Sequence, residues 1–391
     1  MSSFSRRRPT LVAAAVAAVM AVTATACGPE EDGPDAKPPA ASEDVSLPRD
    51  LPTSLEDLKE WKDGAWKDWS KEKWFREAAE FINPIIEGLW DLARMLRAKE
   101  PERDVDESEV DEGGNDGSGD EGVTDPTPRP VQAQPVQTPY AQHAAPVGKV
   151  FFDTPDGQAV CSGAVVKDPN HPGKSNLVAT AGHCVHAGKE GGWYRNIMFV
   201  PNFNNKGLPT SQLEHAPLED VAPHGKWWAE WAATSDYWIK NGTMTGGNGA
   251  PIDFAVMKVK PEKGGGKSLE ETVGGALDVN FDQPSVSSIG TLSSHGYPAA
   301  PPYDGTRMFQ CTDRPTRLTL DPNAPTMYRI GCTMTGGSSG GPWIHKGRNG
   351  KLTLFSVNSI GPADSTWLAG PRLGTEAKQV YLAVSKKFAQ Q

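Results

Sequence analysis

The sequence predicts an all-β fold over residues 147–391, built as two small barrels. Three observations carry this. From Val147 onward, short Val/Ile/Phe/Leu runs alternate with Gly/Pro/Asn turns. No long helical pattern interrupts them. The stretch of about 245 residues suits two small barrels better than one. Residues 1–146 have a different texture and divide into four segments.

The first segment, 1–27, reads as an export signal. Arg6, Arg7 and Arg8 form a basic start, and an Ala/Val-rich apolar run follows over 11–22. That run is too short for a comfortable transmembrane helix. It ends in Ala24-Thr25-Ala26-Cys27, which permits two outcomes. Small residues before a cysteine resemble the lipobox of bacterial lipoproteins, so Cys27 is a candidate for lipidation, which would place the chain on the outer face of the cell membrane. Ala-x-Ala is also an ordinary signal-peptidase site, and cleavage there would release the chain with an exposed thiol. Lipidation also accounts for the odd count of five cysteines.

Residues 28–53 are rich in Pro, Ala and acidic side chains and read as a flexible linker. Over 54–98 a helical period emerges. Ser54 and Asp57 form a capping-box start, Leu55, Leu58, Trp61, Ala65 and Trp69 recur at helical spacing, and Ile85, Ile86, Leu89, Leu92 and Leu96 continue beyond Pro84. This segment could pack on the downstream domain as a pro-segment, lie on a membrane or cell-wall surface, or be a marginal helix with no dedicated role. Residues 99–146 read as a second linker, acidic and Gly-rich, then rich in Pro, Gln and Thr, with too little apolar surface to fold.

Within 147–391 the apolar runs at 150–152, 159–166, 177–180, 197–200, 254–259, 288–290, 317–320, 352–360 and 380–384 are the expected strands. The net charge of −10 argues against nucleic acid as a partner, because phosphate binding wants a basic surface. Cys161, Cys184, Cys311 and Cys332 show no CxxC spacing, so two disulfides in an oxidising compartment are expected over metal or redox chemistry, with buried free thiols as the alternative.

Three motifs carry chemistry. In Thr335-Gly336-Gly337-Ser338-Ser339-Gly340-Gly341-Pro342, glycines around a serine allow a tight turn that presents the hydroxyl and aims backbone N–H groups at one point. In 177–185 an apolar strand runs into Gly182-His183-Cys184. A bridge from Cys184 to Cys161 would pin that turn, worth about 3 kcal/mol in the chain-entropy model. In 252–259 Asp253 leads an apolar strand, which can carry its carboxylate inside, where only a partner justifies it. Acyl transfer to a serine needs a base, a group that orients the base, and donors for the oxyanion.

Together these motifs resemble the trypsin-like serine peptidases of the chymotrypsin fold, in the bacterial branch near the glutamyl endopeptidases. The resemblance rests on Cys161-Ser162-Gly163, Thr180-Ala181-Gly182-His183-Cys184, Asp253-Phe254-Ala255 and Gly337-Ser338-Ser339-Gly340-Gly341-Pro342, and covers about 147–386. It implies two perpendicular six-stranded barrels with the site between them. His183 is then the general base, Asp253 its orienting acid, Ser339 the nucleophile, and the Gly337 and Ser339 amides the oxyanion hole. The chemistry needs no metal or cofactor. The implied partner is a protein or peptide substrate, and the chain is expected to be a monomer.

Departures from the family pattern limit specificity. Ser338 replaces the usual Asp before the nucleophile and cannot ion-pair with a freed N-terminus. Thr333 stands where trypsin has its pocket Asp, and Asn358 falls where glutamyl endopeptidases place a His. The expected pocket, formed by Thr333, Asn358, Ser359 and Gly361, is therefore neutral and polar. The wide His183-to-Asp253 gap implies an insertion, placed in the Trp-rich stretch 224–238. Cys311 and Cys332 match no common family bridge and pair by elimination. A binding or structural lipoprotein that kept the scaffold but lost turnover is the competing function.

Overall fold

A computed structural model describes residues 81, 83–101, 104–106, 110 and 119–390. The signal segment with Cys27, the linker 28–53 and most of the helical segment 54–98 lie outside the described residues. No helix among those described is long and apolar enough to cross a membrane.

The strands are, in chain order, β1 (Asp104–Val105), β2 (Gln134–Pro135), β3 (Val147–Thr154), β4 (Gly157–Val166), β5 (Leu177–Thr180), β6 (Arg195–Pro201), β7 (Trp227–Thr234), β8 (Ala255–Pro261) and β9 (Asp278–Val279). They continue with β10 (Leu292–Gly296), β11 (Phe309–Asp313), β12 (Thr316–Leu318), β13 (Met327–Gly331), β14 (Pro342–Lys346), β15 (Leu352–Val357), β16 (Gly361–Pro362) and β17 (Trp367–Gly370). Helices α1 (Leu92–Arg97), α2 (Asp236–Asn241) and α3 (Thr375–Lys387) matter below.

The fold is all-β in two halves. The first is a closed barrel with ring order β3-β4-β5-β8-β7-β6. Its strands are buried on both faces. On β3, Lys149 and Phe151 point one way, toward Phe203, while Phe152 on the other face stacks on Tyr194. That alternation follows from the two-residue period of a strand. The second half is a six-stranded sheet, β2-β11-β10-β14-β15-β9, and a three-stranded sheet, β12-β13-β17. A cluster of Leu292, Tyr328, Ile330, Trp343 and Leu368 joins the two sheets. The Cys311–Cys332 disulfide, which ties β11 to the end of β13, lies within it.

Several expectations change. The Trp-rich stretch 224–238 is no insertion, because β7 within it is an integral barrel strand hydrogen-bonded to β6 and β8. The gap between His183 and Asp253 also holds the connection 202–226 and most of the connection 235–254. Residues 380–384 form part of α3 instead of a strand. Ala377, Val380, Tyr381 and Val384 recur at helical spacing and are buried together. Residues 288–290 close a 3-10 turn ahead of β10.

The described end of the helical segment is helical only at α1. Ahead of it the chain bends over the barrel. Asn83 bridges two strands by donating to Ile197 O and Ala229 O at 2.9 and 2.8 Å and accepting from Ile197 N–H. Buried Trp90 donates to Asn196 O, and Arg94 reaches both carboxylate oxygens of Asp153 at 2.7–2.8 Å. The described part of 99–146 is packed as well. Val105, Val123, Ala133, Val136, Tyr140 and Ala144 are buried. Asp125 meets Arg317 at 2.6 Å, and that guanidinium holds its carboxyl below the usual range. Composition undervalued this segment because its few apolar side chains are spaced to meet the domain one at a time.

Candidate active site

Strand β5 ends at Thr180, and the chain turns through a single 3-10 turn, Gly182–Cys184, that carries His183. The Cys161–Cys184 disulfide ties this turn to β4. A Cβ on Gly182 would sit 3.0 Å from Asp253 Oδ1 and 2.7 Å from Thr234 Oγ1, so the residue before His183 must be small. Asp253 follows a 3-10 turn, Ala250–Ile252, and is separated from β8 by Phe254 alone. Because β8 pairs with β5, the barrel register itself brings Asp253 beside His183.

Asp253 is fully buried, and three donors converge on it. His183 N–H donates to Oδ1 at 2.9 Å, His183 Nδ1 lies 2.6 Å from Oδ2, and Ser359 Oγ donates to Oδ2 at 2.6 Å. A buried carboxylate is costly unless its oxygens are satisfied, and this set satisfies them. The Nδ1 contact fixes which ring nitrogen carries the proton. Trp238 of α2 packs near the ring, with centroids 6.2 Å apart. The Cys161 and Cys184 sulfurs also lie near His183. Bonded to each other, they offer no thiolate to a metal.

The serine motif sits between β13 and β14. Gly340 has φ +73°, and a Cβ there would lie 2.1 Å from Thr180 Oγ1 and 2.9 Å from Ala181 N. The residue after Ser339 is thus pressed against the strand end that leads into His183. Ser339 O also accepts from Ser162 N–H at 2.7 Å, beside Cys161. Gly337 has φ +90° and no room for a side chain against Tyr297 O and Ala299.

The turn's carbonyls are all engaged. Gly336 O accepts from Ala299 N–H at 2.7 Å, and Gly337 O from Ser162 Oγ at 2.9 Å. Ser338 O accepts from Gly341 N–H and Asn358 Nδ2, both at 2.9 Å. In a trans peptide the N–H points opposite the C=O. The N–H groups of Gly337 and Ser339 therefore face away from Ala299 and Asn358. Ser338 Oγ donates to Thr335 O at 2.8 Å, so a neutral bond occupies the place of an ion pair.

The structure does not bring all four expected pocket residues to one cavity. A cavity of about 30 Å³ is lined by Ser339, Asn358, Ser359 and Gly361, together with Met334, Trp367 and Asp104. Thr333 is not among its lining residues. Its Oγ1 accepts from Ala133 N–H at 2.9 Å instead. Both polar side-chain atoms of Asn358 are engaged within the protein, Nδ2 donating to Ser338 O while Oδ1 accepts from Ser294 Oγ and Trp343 Nε1. It braces the serine turn. Ser359 reaches Asp253, a role the sequence did not reveal. The one available signal was its place after Asn358 in a buried strand end.

No family model and no curated protein sequence matches the chain. Solved structures do. A thermostable serine protease, AL20, from an extremophilic microorganism is 34% identical with a TM-score of 0.50, the match covering 63% of this chain and 99% of that one. Protease Anisep from Arthrobacter nicotinovorans is 31% identical with a TM-score of 0.49, covering 64% of this chain and 99% of that one. A Glu endopeptidase is similar at 16% identity and a TM-score of 0.46, over 68% of this chain and 100% of that one.

Proposed function

Because this chain belongs to the trypsin-like serine peptidases, we propose that it is an exported serine endopeptidase that cleaves peptide bonds through an acyl-enzyme on Ser339. The observation that carries the proposal is the buried carboxylate of Asp253. It holds His183 by both its backbone N–H and its Nδ1, in a turn that abuts the serine motif.

The chemistry follows from these groups. Ser339 Oγ attacks the scissile carbonyl while His183 Nε2 takes its proton. Asp253 keeps the imidazole oriented and stabilises the imidazolium. The carbonyl oxygen gains negative charge and is met by the Gly337 and Ser339 N–H groups. Removal of one such donor typically costs about 10²–10³ in kcat. The tetrahedral adduct collapses, His183 gives its proton to the departing amine, and the acyl group stays on Ser339. Water, activated by the same imidazole, attacks the ester and returns the free serine and an acid.

The two disulfides fit an oxidising compartment. Export is read from residues 1–27, with Cys27 as the lipid-bearing residue that holds a monomeric enzyme at the outer membrane face. Apart from Asp104, the cavity lining is neutral, with Ser359, Gly361 and Met334, which supports no preference for a charged side chain at the cleaved bond.

A fluorophosphonate probe tests the assignment. The intact chain is expected to take up one adduct, mapped by mass spectrometry to Ser339, and Ser339→Ala to take up none. Absence of labelling at Ser339 both in the folded chain and in a folded variant whose cleft has been opened removes the enzyme and leaves a binding protein on this scaffold. Palmitate incorporation in cells, lost in Cys27→Ser, tests the anchor separately.

A further inference from the structure

A peptidase cleft must admit an extended chain, yet this one is closed. His183 is fully buried and Ser339 is 9% exposed. The cavity at Ser339, about 30 Å³, has room for one or two waters. Sites for organic ligands usually offer about 300–1,000 Å³.

The closure coincides with the chain's own residues 99–101, 104 and 105. Lys99 joins the edge of β4, donating to Gln158 O at 3.1 Å and accepting from Val160 N–H at 2.9 Å. That places it one residue from Cys161, on the His183 side of the site. Glu100 then lies across Gly336, where a Cβ would sit 2.8 Å from Glu100 Cγ. Gly336 immediately precedes the Gly337 amide. Farther on, Asp104 lines the same cavity as Ser339, and its carbonyl accepts from Gly246 N–H at 3.2 Å. Strand β1 pairs in parallel with β16, so that Asp104 faces Gly361 and Val105 faces Pro362, just past Ser359. Val105 is 1% exposed, in a cluster with Ile360, Met327 and Trp367.

We propose that Lys99, Glu100, Asp104 and Val105 form an intramolecular inhibitory strap that occupies the substrate cleft from the Cys161 side to the Gly361 side, anchored by Val105, and that a peptide substrate enters only when the strap leaves. The proposal rests on the hydrolase reading above. The strap uses the strand edge and apolar anchor that any extended peptide would use, so strap and substrate compete for one surface. The upstream segment, held on the barrel by Asn83, Trp90 and Arg94, keeps the strap at high local concentration.

The test uses the full chain with Val105→Asp, which unseats the anchor. Hydrolysis of an unstructured peptide is expected to rise about tenfold or more in kcat/KM, since the open fraction sets the apparent affinity. A synthetic peptide spanning 97–108, added to the variant, is expected to inhibit competitively. Val105→Ala carries the test should the aspartate prevent folding, with a smaller rise expected. Equal hydrolysis by the parent chain and a folded variant, with both labelled at Ser339 by the fluorophosphonate, overturns the strap and leaves the hydrolase standing. If neither is labelled, the hydrolase reading falls and the strap falls with it.

Discussion

The two halves of the domain hold their share of the site by different means. The His183–Asp253 side belongs to a closed barrel. The pairing of β5 with β8 sets the distance between the two residues, and a disulfide pins the turn. The Ser339 side belongs to a connection between two sheets, held by hydrogen bonds from Asn358, Ala299 and Ser162 to its carbonyls. Strand register places a base and its acid. The serine turn, with positive φ at Gly337 and Gly340, needs side-chain and loop donors to keep its amides aimed.

The largest expected effect breaks the barrel side chemically. Asp253→Asn can leave the carboxamide in place, but an NH2 at the Oδ2 position opposes two of the three donors, His183 Nδ1–H and the Ser359 hydroxyl. Fluorophosphonate labelling and peptide hydrolysis should fall by about 10⁴. Thermal stability should change far less. A loss of activity matched by unfolding would mean that Asp253 is chiefly a core residue.

Next comes the Cys161→Ala/Cys184→Ala pair, which removes the pin and should cost about 3 kcal/mol in urea unfolding. A smaller cost would indicate that register alone holds the His183 turn.

Asn358→Ala tests the serine side. It removes one of the two donors to the Ser338 carbonyl and leaves the Trp343 indole N–H and the Ser294 hydroxyl without their acceptor, at about 1–3 kcal/mol. Activity should fall with it, through kcat more than KM. Unchanged kcat would mean that the turn keeps its shape without Asn358.

The smallest effect, taken per unit of pH, concerns Lys149, whose ammonium donates to Gly305 O beneath the loop that carries Ala299. Burial pushes it down to about 7, while the Asp304 and Glu100 carboxylates pull the other way. Between about pH 7 and the ordinary lysine value of 10.5 the unfolded chain holds more protons than the folded one. Stability should therefore rise with pH across that window by up to about 1 kcal/mol per unit. In Lys149→Met that rise should flatten, and parallel curves for the two proteins would contradict the buried ammonium.

The chemistry-bearing motifs were legible because each needs particular residue types in local order. Gly182-His183-Cys184 and Gly337-Ser338-Ser339-Gly340 announce turns, and Asp253 announces a buried acid at a strand start. The first barrel was readable for the same reason except at β7, where tryptophans disguised a strand as an insertion. Residues 380–384 misled because a short apolar run fits either period, and only Ala377, seen with its partners, settles the helix. The strap and the packed 119–146 segment were hidden. Their polar, Pro-rich composition is that of a linker, and their order comes from contacts far away in sequence, such as Asp125 with Arg317 and Val105 with Trp367. The bracing role of Asn358 was hidden likewise, since it depends on Ser338 across the turn.

The central claim, that Ser339 and His183 act as one unit, is tested most directly by comparing kcat/KM for a denatured polypeptide in Ser339→Ala, His183→Ala and the double variant. Residues acting as a unit are lost together, so the double variant should be no slower than either single one. Multiplying effects, with the double variant slower by the product of the two, would contradict the account.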